Sequence, residues 1–196
     1  PQWQHPDWNG RLPAGGSPLS RYSRVFNSVE GNTTFYAMPS YRQCEQWRAQ
    51  VPENFRFLFK FPRQITHDGL LKGVGGETRG FLDLLAPLAD VLGPMLLQLP
   101  DAFGPERLGD LWRFVEALPA PFECTVEVRH PDFFAKGEAE VALNRGLRER
   151  HIARVCFDSR ALFAASADDA ATREAQRKKL RLPVHVLPVE AAPLVR

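Results

Sequence analysis

The sequence is poor in cysteine, and its three cysteines are not arranged as disulfide or zinc motifs are. Cys44, Cys124 and Cys156 lie far apart, and none of them belongs to a Cys-x-x-Cys pair. This spacing supports neither a disulfide framework nor a zinc site. We therefore expect a protein of a reducing compartment.

Long apolar runs are also missing. No run approaches the roughly 18 residues that a membrane span requires, and the chain does not open with the charged and then apolar segment of a secretory signal. We therefore expect a cytoplasmic protein with no membrane partner. The sequence begins with Pro-Gln-Trp instead of Met, from which we expect an incomplete or processed chain.

No strong excess of charge of one sign is present. The formal net charge is +2, and the 25 basic residues, of which only five are lysines, are spread along the chain. This distribution argues against a dedicated nucleic-acid-binding tail, although it does not exclude a local basic patch.

The length of the chain and its apolar fraction of 44% predict a single globular domain that comprises residues 1–196.

Short apolar runs alternate with segments of helical periodicity. The runs cover about residues 25–30, 55–61, 95–99, 124–130, 153–158 and 184–189. Between the first two runs, Ser40 and Gln43 form a capping-box pattern that predicts a helix to about Val51. Pro87 is expected to break the next helix, and Gly73, Gly75 and Gly76 predict a loop before it. This alternation predicts an α/β protein with parallel strands.

A polar side chain ends each of the first five apolar runs. These residues are Glu30, Lys60, Gln98, Glu127 and Asp158. They lie roughly 30 to 40 residues apart, which is close to the length of one strand-crossover-strand unit. Since the carboxyl ends of parallel strands meet at one edge of a sheet, we expect these side chains to line a ligand cleft. Periodicity does not separate a closed barrel from a doubly wound sheet, but the unbroken series favours a (β/α) barrel.

Strand parity adds a constraint, because side chains two residues apart share a face. Ser28, Glu30 and Asn32 point one way, as do Leu58 and Lys60. Thr125, Glu127 and Arg129 form a third such set.

Five blocks of this sequence together resemble the YecE-like family, a bacterial group built on a domain of unknown function, DUF72. The blocks read FNSVEGNTTFYAMPS, FRFLFKFPRQITHDGLL, LGPMLLQLPDAFGP, VEVRHPDFF and VCFDSR, and the resemblance covers nearly the whole chain. It implies a TIM-like β/α barrel that here lacks the start of strand one, the end of strand seven and all of strand eight. It implies no activity, because the family's biochemical role is not established, but it points to the same cleft.

Eleven residues of the recurrent blocks are candidates for the site. The candidates for catalysis are Glu30, Lys60, His67, Glu127 and Asp158. The candidates for substrate binding are Asn32, Thr34, Tyr36, Gln98, Arg129 and His130. No short metal-binding motif accompanies them, and the sequence identifies no cofactor.

The charged candidates have two interpretations. Glu30, Glu127 and Asp158 could act as an acid/base pair or as metal ligands, or they could form a salt-bridged floor with Lys60 and Arg129. Lys60 could be a nucleophile or a clamp for an anionic oxygen, or a counter-ion for Glu30.

The remaining candidates are equally open. His67 and His130 could move protons or bind a metal, or could simply form hydrogen bonds, and His130 could instead hold the loop after Arg129. Asn32, Thr34 and Tyr36 suit recognition of hydroxyl or phosphate groups, yet Asn and Thr also satisfy turns.

Two functions are consistent with these residues. The first is an enzyme that acts on a small polar or anionic substrate, sugar-like or phosphorylated, by acid/base or metal-assisted chemistry. The second is a module that binds nucleic acid or a nucleotide in the same cleft without turnover. The sequence gives neither the substrate nor the oligomeric state.

Overall fold

The computed structural model describes residues 12–156 and 159–178, in which strands and helices alternate. The strands are β1 Ser28–Gly31, β2 Arg56–Phe59, β3 Met95–Gln98, β4 Cys124–Glu127 and β5 Ala153–Arg154. The α-helices are α1 Pro18–Ser23, α2 Thr33–Tyr36, α3 Tyr41–Arg48, α4 Gly75–Leu85, α5 Leu108–Glu116, α6 Glu138–Glu149, α7 Arg160–Ala164 and α8 Ala170–Lys178. Short 3-10 helices cover Ala86–Val91, Pro105–Arg107 and Pro131–Phe134, and a π-helical turn covers Gln64–Asp68.

The strand pairs are parallel, and their order follows the chain. β1 pairs with β2, and β3 pairs with β4, which pairs with β5. Two isolated bridges, Phe57 to Leu92 and Lys60 to Leu96, join β2 to the β3 region. The prediction of an α/β protein with parallel strands is thus confirmed. The strands of residues 12–156 and 159–178 do not close into a barrel, so the barrel stays a prediction.

The register of these pairs puts the strand-end polar residues on one face of the sheet. Glu30 is opposite Leu58, Lys60 is opposite Leu96, and Gln98 is opposite Glu127. Directly paired residues of parallel strands point to the same side, and so do residues two apart. The four polar side chains therefore share a face, as strand parity predicts.

The opposite face of the sheet is apolar and packs against the helices. Its buried side chains include Val29, Phe57, Phe59, Leu97 and Val126, which all belong to the main hydrophobic core. The helices contribute their own apolar stripes to this core. In α4 the buried residues Thr78, Phe81, Leu82 and Leu85 recur at helical spacing.

Aromatic rings fix the position of α3 on this apolar face. The Trp47 ring of α3 stacks on Phe59, with the ring centroids 5.7 Å apart, and Phe59 stacks on Phe57 at 5.4 Å. Each such pair contributes about 0.5–1.5 kcal/mol to stability, in addition to the hydrophobic contribution of the area that it buries. Helix α3 is thereby held against β2.

Helix boundaries largely follow the local sequence signals. The capping box is confirmed, since Gln43 N–H donates to the Ser40 hydroxyl and Ser40 N–H donates to the Gln43 amide oxygen. The helix ends at Arg48, however, short of the predicted Val51. Pro87 does interrupt the next helix, because α4 stops at Leu85 and continues as a 3-10 helix.

One loop prediction is wrong in part. Gly75 and Gly76 form the first turn of α4 and do not belong to the loop before it.

Three predictions lie outside the described residues: the extended run at 184–189, the extended run at the chain's end, and the position of Asp158. Among the described residues, no helix has both the length and the hydropathy of a membrane span.

Gly31 offers a test of the close contact between β1 and β2. A Cβ atom added there would lie 2.5 Å from two atoms of the Phe59 ring, which Trp47 and Phe57 prevent from moving away. We expect Gly31→Ala to lower the free energy of unfolding by about 1–3 kcal/mol, measured by urea denaturation.

Gly80 provides the matched control. It lies inside α4, and an added Cβ would meet nothing within 4 Å. Gly80→Ala should raise the free energy of unfolding by about 0.5–1 kcal/mol because alanine favours the helix. Equal effects of the two substitutions would contradict the close strand contact.

Candidate functional site

The carboxyl ends of β1 to β4 carry a connected set of polar side chains, which we call the strand-end network. Its members are Glu30, Lys60, Gln98, Glu127 and Arg129. The Lys60 ammonium lies 3.5 Å from Glu30 Oε1 and 3.4 Å from Gln98 Oε1. Gln98 Nε2 in turn donates to Glu127 Oε1 at 2.6 Å. Five of the eleven predicted residues are thus brought together across four neighbouring strands.

Glu127 is the most deeply buried charge of this network, with 1% of its side chain exposed. Its Oε1 atom accepts hydrogen bonds from Gln98 and from both Nε and Nη2 of Arg129, at 2.9 and 2.8 Å. Hydrogen bonds to a charged group are about twice as strong as neutral ones, and they offset the cost of taking the carboxylate out of water. Glu127 therefore fixes the orientation of Gln98 and Arg129.

Lys60 is also buried, and its position follows from the bridge between β2 and the β3 region. Besides Glu30 and Gln98, its ammonium faces the Phe35 ring at 5.9 Å from the centroid. A cation this close to an aromatic face is attracted to it. The arrangement contains the ion pair with Glu30 that the sequence offered as the structural alternative.

Two members of the network reach the solvent. Glu30 has 27% of its side chain exposed and Arg129 has 23%. Lys60, Gln98 and Glu127 lie behind them as buried residues. A ligand that enters from the solvent therefore meets a carboxylate and a guanidinium first, both held from behind.

His67 lies beside the network in the π-helical turn. Its Nδ1 atom is 2.8 Å from Thr66 Oγ1, and its ring meets the edge of Phe35 at a centroid distance of 4.9 Å. Burial lowers the pKa of His67 below its usual value, and the positive charges of Arg63, Arg129 and Lys60 lower it further. The imidazole is therefore neutral at pH 7 and able to accept a proton.

The backbone around His67 is unusual. π-Helical turns are rare and occur frequently at functional sites. Here the turn is followed by Leu70 and Leu71, with φ angles of 46° and 65°, a region that branched side chains seldom occupy. Such strain persists only where the surrounding structure imposes it, and in this chain it accompanies the placement of an imidazole next to the network.

The three candidates after β1 have different environments. Thr34 is buried, and its hydroxyl donates to the Lys60 carbonyl at 2.7 Å, with the Gly31 carbonyl at 3.3 Å. Asn32 precedes α2 and is exposed, but its side chain does not cap that helix. Tyr36 is largely exposed to solvent. Thr34 thus ties the loop to β2, while the polar groups of Asn32 and Tyr36 face outwards.

His130 begins the 3-10 helix Pro131–Phe134. Its Nδ1 atom accepts a hydrogen bond from the Asp132 N–H at 3.2 Å. This contact is the loop-holding alternative that the sequence allowed for His130. The last catalytic candidate, Asp158, lies outside the residues that the structure describes.

Sequence reasoning missed Phe35. Its ring contacts His67, Tyr36 and the Lys60 ammonium, so it connects the network to the exposed Tyr36. An apolar side chain carries no ionisable or hydrogen-bonding group that would mark it as a site residue in the sequence. The one available hint was its place between two predicted binding residues, Thr34 and Tyr36.

Within the residues that the structure describes, one further cavity and two cysteines are less suited to proton transfer. A cavity of about 260 Å³ lies at the amino ends of β3 and β4, lined by Leu92, Pro94, Met95 and Phe122 with Glu123 as its ionisable residue. Burial raises the pKa of the Cys44 thiol to about 11 and that of Cys124 to about 12. Within residues 12–156 and 159–178, no three His, Cys, Asp or Glu side chains are grouped so that they could hold a metal ion.

Comparison with known proteins identifies relatives over the full chain. The family model described as "Protein of unknown function DUF72" matches residues 1–196. The chain is 47% identical over 196 residues to the UPF0759 protein YecE of Escherichia coli, and this match covers 100% of the chain and 71% of that protein.

Two solved structures of DUF72 family proteins are also similar. The protein from Enterococcus faecalis is 24% identical, with a TM-score of 0.60 over 71% of this chain and 58% of its own. The protein from Thermotoga maritima is 28% identical, with a TM-score of 0.58 over 80% of this chain and 62% of its own. This chain therefore spans less than two thirds of the length of either solved chain.

The lowered pKa of His67 predicts a pH dependence of stability. Because the folded state disfavours the protonated imidazole, the unfolded state binds more protons in the range between the two pKa values. The contribution of His67 to the free energy of unfolding is fully present above its ordinary pKa of 6.5. It is lost as the pH falls towards the lower pKa of His67 in the folded state. His67→Gln should remove this part of the dependence, as measured by urea denaturation from pH 5 to 8.

An NMR titration of the His67 imidazole gives a direct check. Its midpoint should lie below 6.5. A midpoint above that value, or identical pH profiles of stability for the two proteins, would contradict the environment described for this ring.

The hydrogen bonds of Glu127 predict a large cost for its replacement. Glu127→Gln leaves Arg129 and Gln98 without the buried carboxylate, and we expect a loss of about 2–4 kcal/mol of unfolding free energy. Glu116→Gln is the control, because Glu116 forms a 2.7 Å ion pair with Arg150 at the surface. The loss of this surface ion pair should cost less than about 1 kcal/mol of unfolding free energy. A larger loss in Glu116→Gln than in Glu127→Gln would contradict the hydrogen bonds described for Glu127.

Proposed function

The chain belongs to the DUF72 family, and we propose that its strand-end network binds a small polar or anionic molecule, sugar-like or phosphorylated, and acts on it as an enzyme. The chemistry proposed is acid/base or metal-assisted catalysis. We also propose that the parallel sheet is part of a TIM-like (β/α) barrel in the cytoplasm, with the network at the carboxyl-terminal mouth. The order of the five strands along the chain supports the barrel.

One observation carries the proposal of function. Two carboxylates and two cations are joined through Gln98 across four consecutive strand ends, with an imidazole of lowered pKa beside them. A structural ion pair needs two residues, whereas this arrangement commits several buried or half-buried polar groups to one edge. A cluster of buried ionisable side chains beside a histidine with a lowered pKa is typical of functional sites.

The exposure of each side chain suggests its role. Glu30 and His67 are the groups proposed to transfer protons, since Glu30 reaches the solvent and His67 is neutral at pH 7. Arg129 is proposed to hold an oxygen of the substrate, negatively charged or about to become so. Lys60 adds positive charge behind Glu30, while Gln98 and Glu127 act as positioning residues.

The flanking candidates complete the proposed site. Asn32 and Tyr36 are proposed to contact the substrate from the loop after β1. Thr34 and His130 hold the backbone of their loops through the hydrogen bonds described above, and Asp158 is kept as a proposed carboxylate of the fifth strand end. Metal-assisted chemistry would require carboxylates in addition to Glu30 and Glu127, and Asp158 is the candidate.

The balance of charge favours a small ligand over a polyanion. Glu30 compensates Lys60, and Glu127 compensates Arg129, so the network has no net charge when all four are ionised. Nucleic acid prefers an uncompensated row of cations, and its binding weakens steeply with salt. The alternative of a nucleic-acid-binding module therefore has less support from these residues.

Ligand-induced thermal stabilisation tests the proposal. Inorganic phosphate, glucose 6-phosphate and ribose 5-phosphate should raise the melting temperature of the protein, because a ligand that binds only the native state stabilises it. Arg129→Met should abolish the shift. Arg48→Met should keep it, since Arg48 forms a comparable pair with Asp90, at 2.6 Å, away from the network.

Turnover is then followed for the ligand with the largest shift. NMR of that ligand should show conversion that falls at least about 100-fold in Glu30→Gln while binding persists. Binding without conversion would replace the enzyme by a binding module. If none of these ligands raises the melting temperature at about 50 mM or about 200 mM salt, the result would argue against an enzyme and against a module that binds such ligands.

A further inference from the structure

Tyr36, in the segment after β1, exposes an aromatic ring that has no role in the proposed acid/base chemistry. The residue is 81% exposed, more than any other large hydrophobic residue in the part of the chain that the structure describes. An aromatic ring left in water carries an apolar face that gains free energy when it is covered. A single exposed aromatic residue is ordinary on a protein surface, so the significance of Tyr36 depends on its neighbours.

A chain of ring contacts connects Tyr36 to the strand-end network. The Tyr36 ring meets the Phe35 ring edge-on, with the centroids 5.0 Å apart and the planes at 88°. Phe35 meets His67 in the same way at 4.9 Å, and the Lys60 ammonium lies 5.9 Å from its centroid. Tyr36 is therefore one side chain removed from two of the groups proposed for catalysis and charge stabilisation.

The surroundings of Tyr36 combine an aromatic face with groups that form hydrogen bonds. Asn32 and Thr33 are exposed in the same short segment, and the Asn32 amide does not cap α2. A sugar ring matches this combination, because it has a face of C–H groups and a rim of hydroxyl groups. The Phe35 ring is perpendicular to that of Tyr36 and does not form the second wall of a clamp. A single apolar ligand face is therefore accommodated better than a flat base held between two rings.

We propose that Tyr36 is the platform for the sugar ring of the ligand, which places the ligand's charged or reactive group at the strand-end network. This inference rests on the proposed function and narrows its substrate class to ring-bearing sugars, with sugar phosphates as the form that also engages Arg129. Asn32 and Thr33 contact the hydroxyl rim. The phenol hydroxyl of Tyr36 is not required, because the contact is made by the ring.

Isothermal titration with three defined probes tests the platform. Glucose 6-phosphate and ribose 5-phosphate each present a ring and a phosphate, and inorganic phosphate presents the anion alone. Tyr36→Ala should lower the affinity for at least one sugar phosphate about fivefold to tenfold, which is the scale of one aromatic contact. It should change the affinity for inorganic phosphate by less than about twofold. Tyr36→Phe should bind both sugar phosphates within twofold of the unaltered protein.

Tyr41→Ala is the matched control. Tyr41 is an exposed tyrosine of the same region, 51% exposed at the start of α3, and its removal should leave all three affinities unchanged. Because Tyr36 and Tyr41 are both exposed, neither change should unfold the protein, and the melting temperatures of the free variants verify this.

The outcomes separate the platform from the function on which it rests. If the unaltered protein binds none of the probes, the proposed anion site fails together with the platform. If it binds phosphate, but binds neither sugar phosphate more tightly than phosphate, the platform is wrong while the anion site stands. The platform is also wrong if Tyr36→Ala binds sugar phosphates normally, or if it loses phosphate and sugar phosphates equally.

Discussion

Two charged side chains, Glu127 and Lys60, are buried at the ends of the strands, and their burial limits which neighbours they can have. Removing a carboxylate or an ammonium from water costs several kcal/mol even after relaxation, so Glu127 and Lys60 can be buried only if their neighbours supply hydrogen bonds and opposite charge. Gln98 does this for both at once, because it accepts from Lys60 and donates to Glu127. Well-packed apolar residues often serve stability equally well, so stability alone does not account for this polar arrangement.

The alternation of side chains along each strand lets one short sheet serve two purposes. On one face, Phe57, Phe59 and their neighbours join the helices in the core. On the other face, the same strands present Glu30, Lys60, Gln98 and Glu127. The apolar face holds the register, and a slip by one residue would exchange the two faces. The precision of the polar site is therefore maintained by hydrophobic packing on the far side of the sheet.

Much of this arrangement could be predicted from the sequence because it depends on local patterns. The capping box at Ser40, the break at Pro87 and the shared face of the strand-end residues follow from spacing and residue type. The features that could not be predicted depend on tertiary contacts. Phe35 gives no polar signal, and the hydroxyl of Thr34 is bound to a carbonyl 26 residues away in the chain. The π-helical turn that carries His67 leaves no periodicity to read, and Gly75 begins a helix that glycine alone disfavours.

The hydrogen bond from Thr34 to the Lys60 carbonyl has a mechanical consequence. It fastens the segment that bears Tyr36 to the strand that bears Lys60, at 2.7 Å, so the two cannot drift apart independently. The backbone positions from which the Tyr36 ring and the Lys60 ammonium project are thereby held together. In the proposed site, the ring and the charged group of a ligand must therefore be separated by a length that matches this spacing.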